Sequence, residues 1–209
     1  SRAREISVRW LDAGATTPAD ALDEDIAAIT DRIDATWFVF KNGALSVLPD
    51  GSGFTAEKLG EVPVGDSALA ELNAALLADG LRLRVDGELS KPIGLLFLDG
   101  TDGPALAQGY VELDFAANAV GDVVEYHASR GSADHYANTI VSVSLGDRAS
   151  VNHVRIQDRS LEHIQTSRTS VSVGRDARFT SASFDLGGSL VRNDLDIDIA
   201  MPGAEVSFD

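Results

Sequence analysis

Cysteine is missing from all 209 residues. That excludes disulfides, zinc–thiolate centres and thiolate ligation of a metal cluster by this chain, and it fits a reducing cytoplasm. Aromatic residues amount to only 6% against 44% hydrophobic residues overall. Val, Ile, Leu and Ala are therefore expected to make the core, as in stacked strands rather than a ring-lined ligand pocket. Positive charge is scarce: 17 Lys and Arg face 33 Asp and Glu, for a net charge of −16. Nucleic-acid binding needs clustered cations, so that class is excluded, and the acidity serves solubility and the steering of basic partners. No apolar run approaches the ~18 residues of a membrane span, and no signal-peptide core is visible. The opening Ser1-Arg2-Ala3-Arg4 has the character of a trimmed end.

What is present falls into two parts, a small α/β domain over 1–105 and a run of strands over 106–209. Thr17 and Pro18 suit the start of a helix reaching Asp34, with Leu22, Ile26, Ile29 and Ile33 on one face. Trp37–Phe40 and Leu45–Leu48 flank Asn42-Gly43, the signature of a tight hairpin. A second helix is expected from Ser67 to Ala78, with Leu69, Leu72, Leu76 and Leu77 on one face and Gly80 ending it. Strands follow at Leu81–Val85 and Ile93–Leu98.

Beyond Pro104 the periodicity becomes that of strands alone. Val141–Leu145, Val171–Val173 and Leu195–Ile199 alternate apolar and polar residues, each strand burying one face. A corner recurs with them: Gly146-Asp147-Arg148-Ala149, Gly174-Arg175-Asp176-Ala177 and Pro202-Gly203-Ala204, with a weaker copy at Ala119. These alanines lie 30, 28 and 27 residues apart. A fixed period of short strands and glycine corners is the pattern of a solenoid, in which each strand pairs with its equivalent one turn away. A β-sandwich is the alternative with regularly spaced strands. Gly146, Gly174, Gly187, Gly188 and Gly203 are expected to be structural turns.

Two constellations could carry chemistry. Glu125 and His127, two apart on a strand, point to one side and could share a metal, and His135, His153 and His163 follow close behind. The plainer reading sets these histidines on solvated strand faces or loops. Asp194, Asp196 and Asp198 form a carboxylate row on one strand face, of the kind that binds Ca²⁺ or serves acid–base work in β-helical polysaccharide lyases and hydrolases. The wet face of a strand explains them equally, and like charges there also discourage edge pairing. No nucleophile elbow and no phosphate loop occurs.

Several spaced stretches together resemble the SufD family, the SufB-related subunits of the SUF iron–sulfur cluster assembly machinery. They are Trp37–Gly43, Leu72–Ala75 with Asp79-Gly80, Lys91–Ile93, Tyr136–Thr139, Arg155–Gln157, Arg178–Ser181 and Leu186–Leu195. The resemblance implies a right-handed parallel β-helix behind a small α/β domain. It also implies a non-catalytic cytoplasmic scaffold that partners a SufB-type subunit and the SufC-type ATPase, with clusters held only transiently in the complex. Members of that family are longer. Their later rungs, SufC-docking region and cluster-associated histidine have no counterpart here, so no active-site residue is carried over. An acidic-tryptophan-lysine-tyrosine-threonine-like segment of the family's N-terminal part is also missing. Stopping in mid-repeat at Asp209 would leave strand edges open, so that end is expected to be covered, by self-association, a swapped segment or a folded-over terminus. The rival readings are the lyase or hydrolase already named and a structural solenoid or adhesin.

Overall fold

A computed structural model describes residues 22–100 and 104–209. Thr17 and Pro18, expected to start the first helix, lie outside the described residues. Helix α1 runs over Leu22–Thr30 and α2 over Ala68–Leu76. The strands are β1 (Thr36–Lys41), β2 (Ala44–Val47), β3 (Phe54–Leu59), β4 (Gly80–Val85), β5 (Ile93–Gly100), β6 (Ala105–Phe115) and β7 (Val120–Arg130). They continue with β8 (His135–Leu145), β9 (Ser150–Asp158), β10 (Ile164–Val173), β11 (Arg178–Asp185), β12 (Leu190–Asp198) and β13 (Glu205–Phe208).

From β4 onward the strands are dealt alternately into two sheets. One is ordered β13-β11-β9-β7-β5-β1-β2 and the other β12-β10-β8-β6-β4-β3. Every pairing from β4 to β13 is parallel, which excludes the antiparallel sandwich and makes the chain a β-solenoid. Among the described residues, antiparallel pairs occur only where β2 and β3 close the first turns. The register reproduces the sequence period. Val111 pairs with Val141, Val143 with Val171, and Val171 with Ile197, so successive turns take 30, 28 and 26 residues. The stacking crosses residue 105 without a break, since β4 pairs with β6 and β5 with β7 in the same 30-residue register.

Stacked equivalents build the core. Leu83, Leu113, Val143, Val171 and Ile197 form one column through the second sheet. The corners are equally regular: Asn118, Arg148, Asp176 and Gly203 take positive φ, at 65°, 60°, 55° and 72° respectively. Each is followed by an alanine whose N–H closes the turn, as Ala149 does on the Gly146 carbonyl at 3.1 Å. Ala119, Ala149 and Ala177 are buried, so a larger side chain would meet the next corner. A Cβ on Gly146 or Gly174 would lie 2.6 Å from backbone of the preceding turn, which is why glycine opens these corners. Gly188 needs its glycine for a φ of +87°.

Two expectations are corrected. The first concerns α2, which is capped by Ser67 as its sequence suggests but whose shared leucine face is not its most buried one, Leu69, Leu72 and Leu77 being only half-buried. Ala70 and Asn73 are its buried residues, while Leu76 is exposed. The helix lies on a polar seam: Asn73 Nδ2 donates to the carbonyls of Gly109 (2.9 Å) and Asn138 (3.1 Å). Asn138 Nδ2 donates in turn to the Leu69 carbonyl and to Gln108 Oε1. The second concerns the core, which is not purely aliphatic. Phe38, Phe40, Phe97, Phe115 and Phe179 are buried, and the rings of Phe40 and Phe97 stack at 4.8 Å. Most of these phenylalanines gather in the first turns, where the solenoid is capped.

The Asn42-Gly43 hairpin forms as expected. Both residues have positive φ (49° and 81°), which suits the twist of a two-residue turn. Helix α1 lays Leu22, Ile26 and Ile29 on the outer face of the first sheet, against Val39, Leu96, Leu98 and Ala128.

Candidate functional site

The histidines do not lie on solvated faces. His127, His135, His153 and His163 are all buried, and with Glu125, Arg155, Gln157 and Arg159 they fill the inside of the solenoid near one lateral edge. Strand parity puts them there. Gly121, Val123, Glu125 and His127 alternate as one inward set on β7, and Val151, His153, Arg155 and Gln157 do so on β9. Along the axis the inward column Phe40–Phe97–His127–Gln157–Asp185 passes from apolar to polar at β7.

Glu125 is the centre of this group. Its Oε1 is 2.5 Å from His127 Nε2, and its Oε2 is 3.1 Å from His153 Nε2. Burial raises the pKa of Glu125, yet the two histidine hydrogen bonds outweigh it and hold the carboxyl well below the usual carboxylate range. With Glu125 ionised, both rings donate through Nε2–H. His153 Nδ1 then accepts from Ser181 Oγ at 2.9 Å. Burial depresses His127 to about 4 against the pull of Glu125, with Arg155 and Arg159 adding to the depression, so the ring is neutral at pH 7. It stacks on Phe97 at 4.8 Å. Arg155 donates through Nη1 to Ser183 and to Asp185 at 3.0 and 2.7 Å, and its Nε lies 4.0 Å from Glu125.

A second buried pair, Arg159 Nη1 on Asp99 at 2.5 Å, is joined through Arg159 Nε to Gln165 Oε1 at 2.7 Å. His163 Nδ1 meets Ser129 Oγ at 2.5 Å, and its ring centre lies 4.3 Å from that of His135, the two planes tilted by 35°. Burial lowers His163 to about 4, with His135 and Arg159 acting in the same direction. Gln157 clamps the glycine turn, accepting from Gly187 N–H (3.0 Å) and donating to the Gly187 carbonyl (3.1 Å). A Cβ on Gly187 would fall 2.0 Å from the Arg159 carbonyl oxygen. The stretches Arg155–Gln157 and Leu186–Ser189 are thus two halves of one joint.

The sequence pairing of Glu125 with His127 is realised, but as a hydrogen bond, and both carboxylate oxygens are taken by ring N–H groups. Among the described residues no three His, Cys, Asp or Glu side chains are arranged to hold a metal ion. Asp194, Asp196 and Asp198 do share one face of β12. Asp194 is held by Arg192 at 2.7 Å and Asp196 by Arg168 at 2.5 Å, while Asp198 accepts from the Ala200 N–H. Arg168 also reaches Asp66 beside the start of α2, tying the helix to the sheet. The buried role of His153, Arg155 and Arg159 was not anticipated. Their signal was available in the shared parity of His153 and Arg155 with Val151.

No helix among the described residues is long and apolar enough to cross a membrane. Two comparisons bear on what such a solenoid is. An iron–sulfur cluster assembly SufBD family protein of Synechocystis sp. is 29% identical over 151 residues, which cover 67% of this chain and 33% of that protein. The chain therefore matches about a third of its curated relative's length. The family model described as SUF system FeS cluster assembly, SufBD core domain, matches residues 98–209, which hold the stacked strands from β6 to β13. This chain belongs to the SufBD core family of the SUF iron–sulfur cluster assembly system.

Proposed function

We propose that the chain is a non-catalytic scaffold of iron–sulfur cluster assembly, of SufD rather than SufB type, working in the cytoplasm beside a SufB-type subunit and a SufC-type ATPase. The observation that carries this reading is the coincidence of the family match with the parallel turns over 98–209. Its polar residues support it. Glu125, His127, His153, Arg155 and Arg159 are buried and engaged with one another or with neighbouring side chains, as suits residues that hold turns together. Asp194 and Asp196, which a polysaccharide-cleaving enzyme would need free, are in ion pairs with arginine. With no cysteine, the chain itself offers no thiolate to a cluster, so a cluster would be held by its partner.

Size-exclusion chromatography of the chain mixed with the SufB-type and SufC-type proteins of its own organism tests this. Co-elution with the SufB-type protein is expected. Elution of the chain alone, where SufB-type and SufC-type proteins still co-elute with each other, would count against it.

A further inference from the structure

The Arg159 guanidinium is buried inside the solenoid, where each of its N–H groups needs an acceptor. Nη1 has Asp99 and Nε has Gln165 Oε1 at 2.7 Å, but Nη2 has no partner among the described residues. Nε–H and Nη2–H point the same way along one edge of the guanidinium, a fork that a carboxylate fills with two oxygens. Gln165 meets this edge with a carboxamide, which has one oxygen and one NH2 group. Donor therefore faces donor, and Gln165 Nε2, itself buried, is left without an acceptor among the described residues as well. Turning the amide over exchanges its two ends and leaves the same shortfall.

Charge decides what kind of acceptor fits. Asp99 already neutralises Arg159, and Glu125 with Arg155 forms a second balanced set nearby. An anion would add an unmatched negative charge beside two buried carboxylates. Water adds none, but its hydrogens need a destination. His127 offers one. Its Nε2–H is committed to Glu125, so Nδ1 is an acceptor, buried and without a partner among the described residues. Asp99 and Arg159 are 60 residues apart, and β7 lies between β5 and β9 in the sheet. In reaching Asp99, the Arg159 side chain therefore crosses the level of β7, which carries His127 on its inward face. The residues in register with Gln165 on β8 and β6 are Ala137 and Ala107, whose small side chains suit a guest the size of water.

We propose that one ordered water molecule is a permanent member of the core, accepting from Arg159 Nη2–H and Gln165 Nε2–H and donating to His127 Nδ1. Three such bonds are what buried water typically makes. It ties the two sheets together across the interior, since His127 belongs to β7 of the first and Gln165 to β10 of the second. The site lies within this chain and stands apart from the choice of SUF partner, so it can fail while the scaffold reading holds, and the reverse.

The test is a high-resolution crystal structure of the whole chain, grown with bromide as the halide. A single solvent peak about 3 Å from Arg159 Nη2, Gln165 Nε2 and His127 Nδ1, without anomalous signal, is expected. The anomalous signal of bromide at that point would overturn the proposal by making the guest an ion. Direct bonds from Nη2 and Nε2 to protein acceptors, or no peak at all, would overturn it too. In solution, the side-chain amide of Gln165 in the isotope-labelled chain should show magnetisation transfer to water with the sign of a long-lived contact. Its absence would count against a resident water. Gln165→Met should remove the peak while Arg159 stays on Asp99, and a peak unchanged in that variant would sink the assignment. Should the variant not fold, the parent's crystal structure and spectra decide.

Discussion

Glu125 shows at the residue scale how a charge can lie at the centre of a protein. Its carboxylate is fully buried, and it is tolerated because two ring N–H groups and a nearby guanidinium replace the lost water. Removing it strands those donors. Glu125→Leu is expected to lower stability by about 3–5 kcal/mol in urea unfolding, and a loss below about 1 kcal/mol would show that the hydrogen bonds carry little. Acid should act at the same place. His127 and His163 have folded values near 4, below the ordinary 6.5, so the unfolded chain takes up protons that the folded one refuses. Stability should therefore be full above pH 6.5 and fall between pH 6.5 and 4, by at most about 1.4 kcal/mol per pH unit for each histidine. Glu125, depressed further, loses its contribution only at still lower pH. Melting temperatures across this range check the sign, and a rise on acidification would contradict it. Glycines divide equally sharply. Gly187→Ala drives a Cβ into the Arg159 carbonyl and should destabilise by about 3 kcal/mol. Gly87→Ala meets nothing within 4 Å and should stay within about 0.5 kcal/mol of the parent.

At the scale of elements, α2 and the corners teach opposite lessons. The corners were legible because they obey local chemistry: a residue in the left-handed region followed by a small alanine recurs at 118–119, 148–149, 176–177 and 203–204, opened by glycine at Gly146 and Gly174. The packing of α2 was not. Its leucine stripe is the stronger sequence signal, yet Asn73 faces the sheet, because the strand surface beneath offers carbonyls and amides rather than apolar groups. Only knowledge of Gln108 and Asn138 on neighbouring strands could have shown that. Asn73→Leu is expected to free α2 selectively. Hydrogen exchange over 68–76 should rise by about tenfold or more, while β6 and β8 remain protected. Uniform loss of protection across both would mean that the seam supports the whole fold. The histidines were misplaced for a related reason. Alternation gives the face of a strand but not which face is inside, and polar side chains in the interior here are held by hydrogen bonds from turn to turn, as between Glu125 and His153 or Arg155 and Asp185.

For the whole molecule, repetition is the organising fact. Each turn contacts mainly its neighbours, so stability propagates along the axis as it does in other solenoids. Period, alternation and corners together made the parallel coil readable before any coordinates. The aromatic capping of the first turns was less so, since Phe38 and Phe40 of β1 meet Phe54 of β3 and Phe97 of β5, which are distant in sequence. The same regularity makes the architecture directly testable, and the absence of cysteine makes the test clean. Ser144 and Ser172 are 28 residues apart, paired in register on β8 and β10, with their hydroxyls 3.0 Å from each other on the outer face. Under mild oxidation, the double variant Ser144→Cys with Ser172→Cys should form an intramolecular disulfide in most molecules and keep the parent's circular dichroism spectrum. Thiols that stay free in the folded monomer, or that link only between molecules, would contradict the stacked parallel turns.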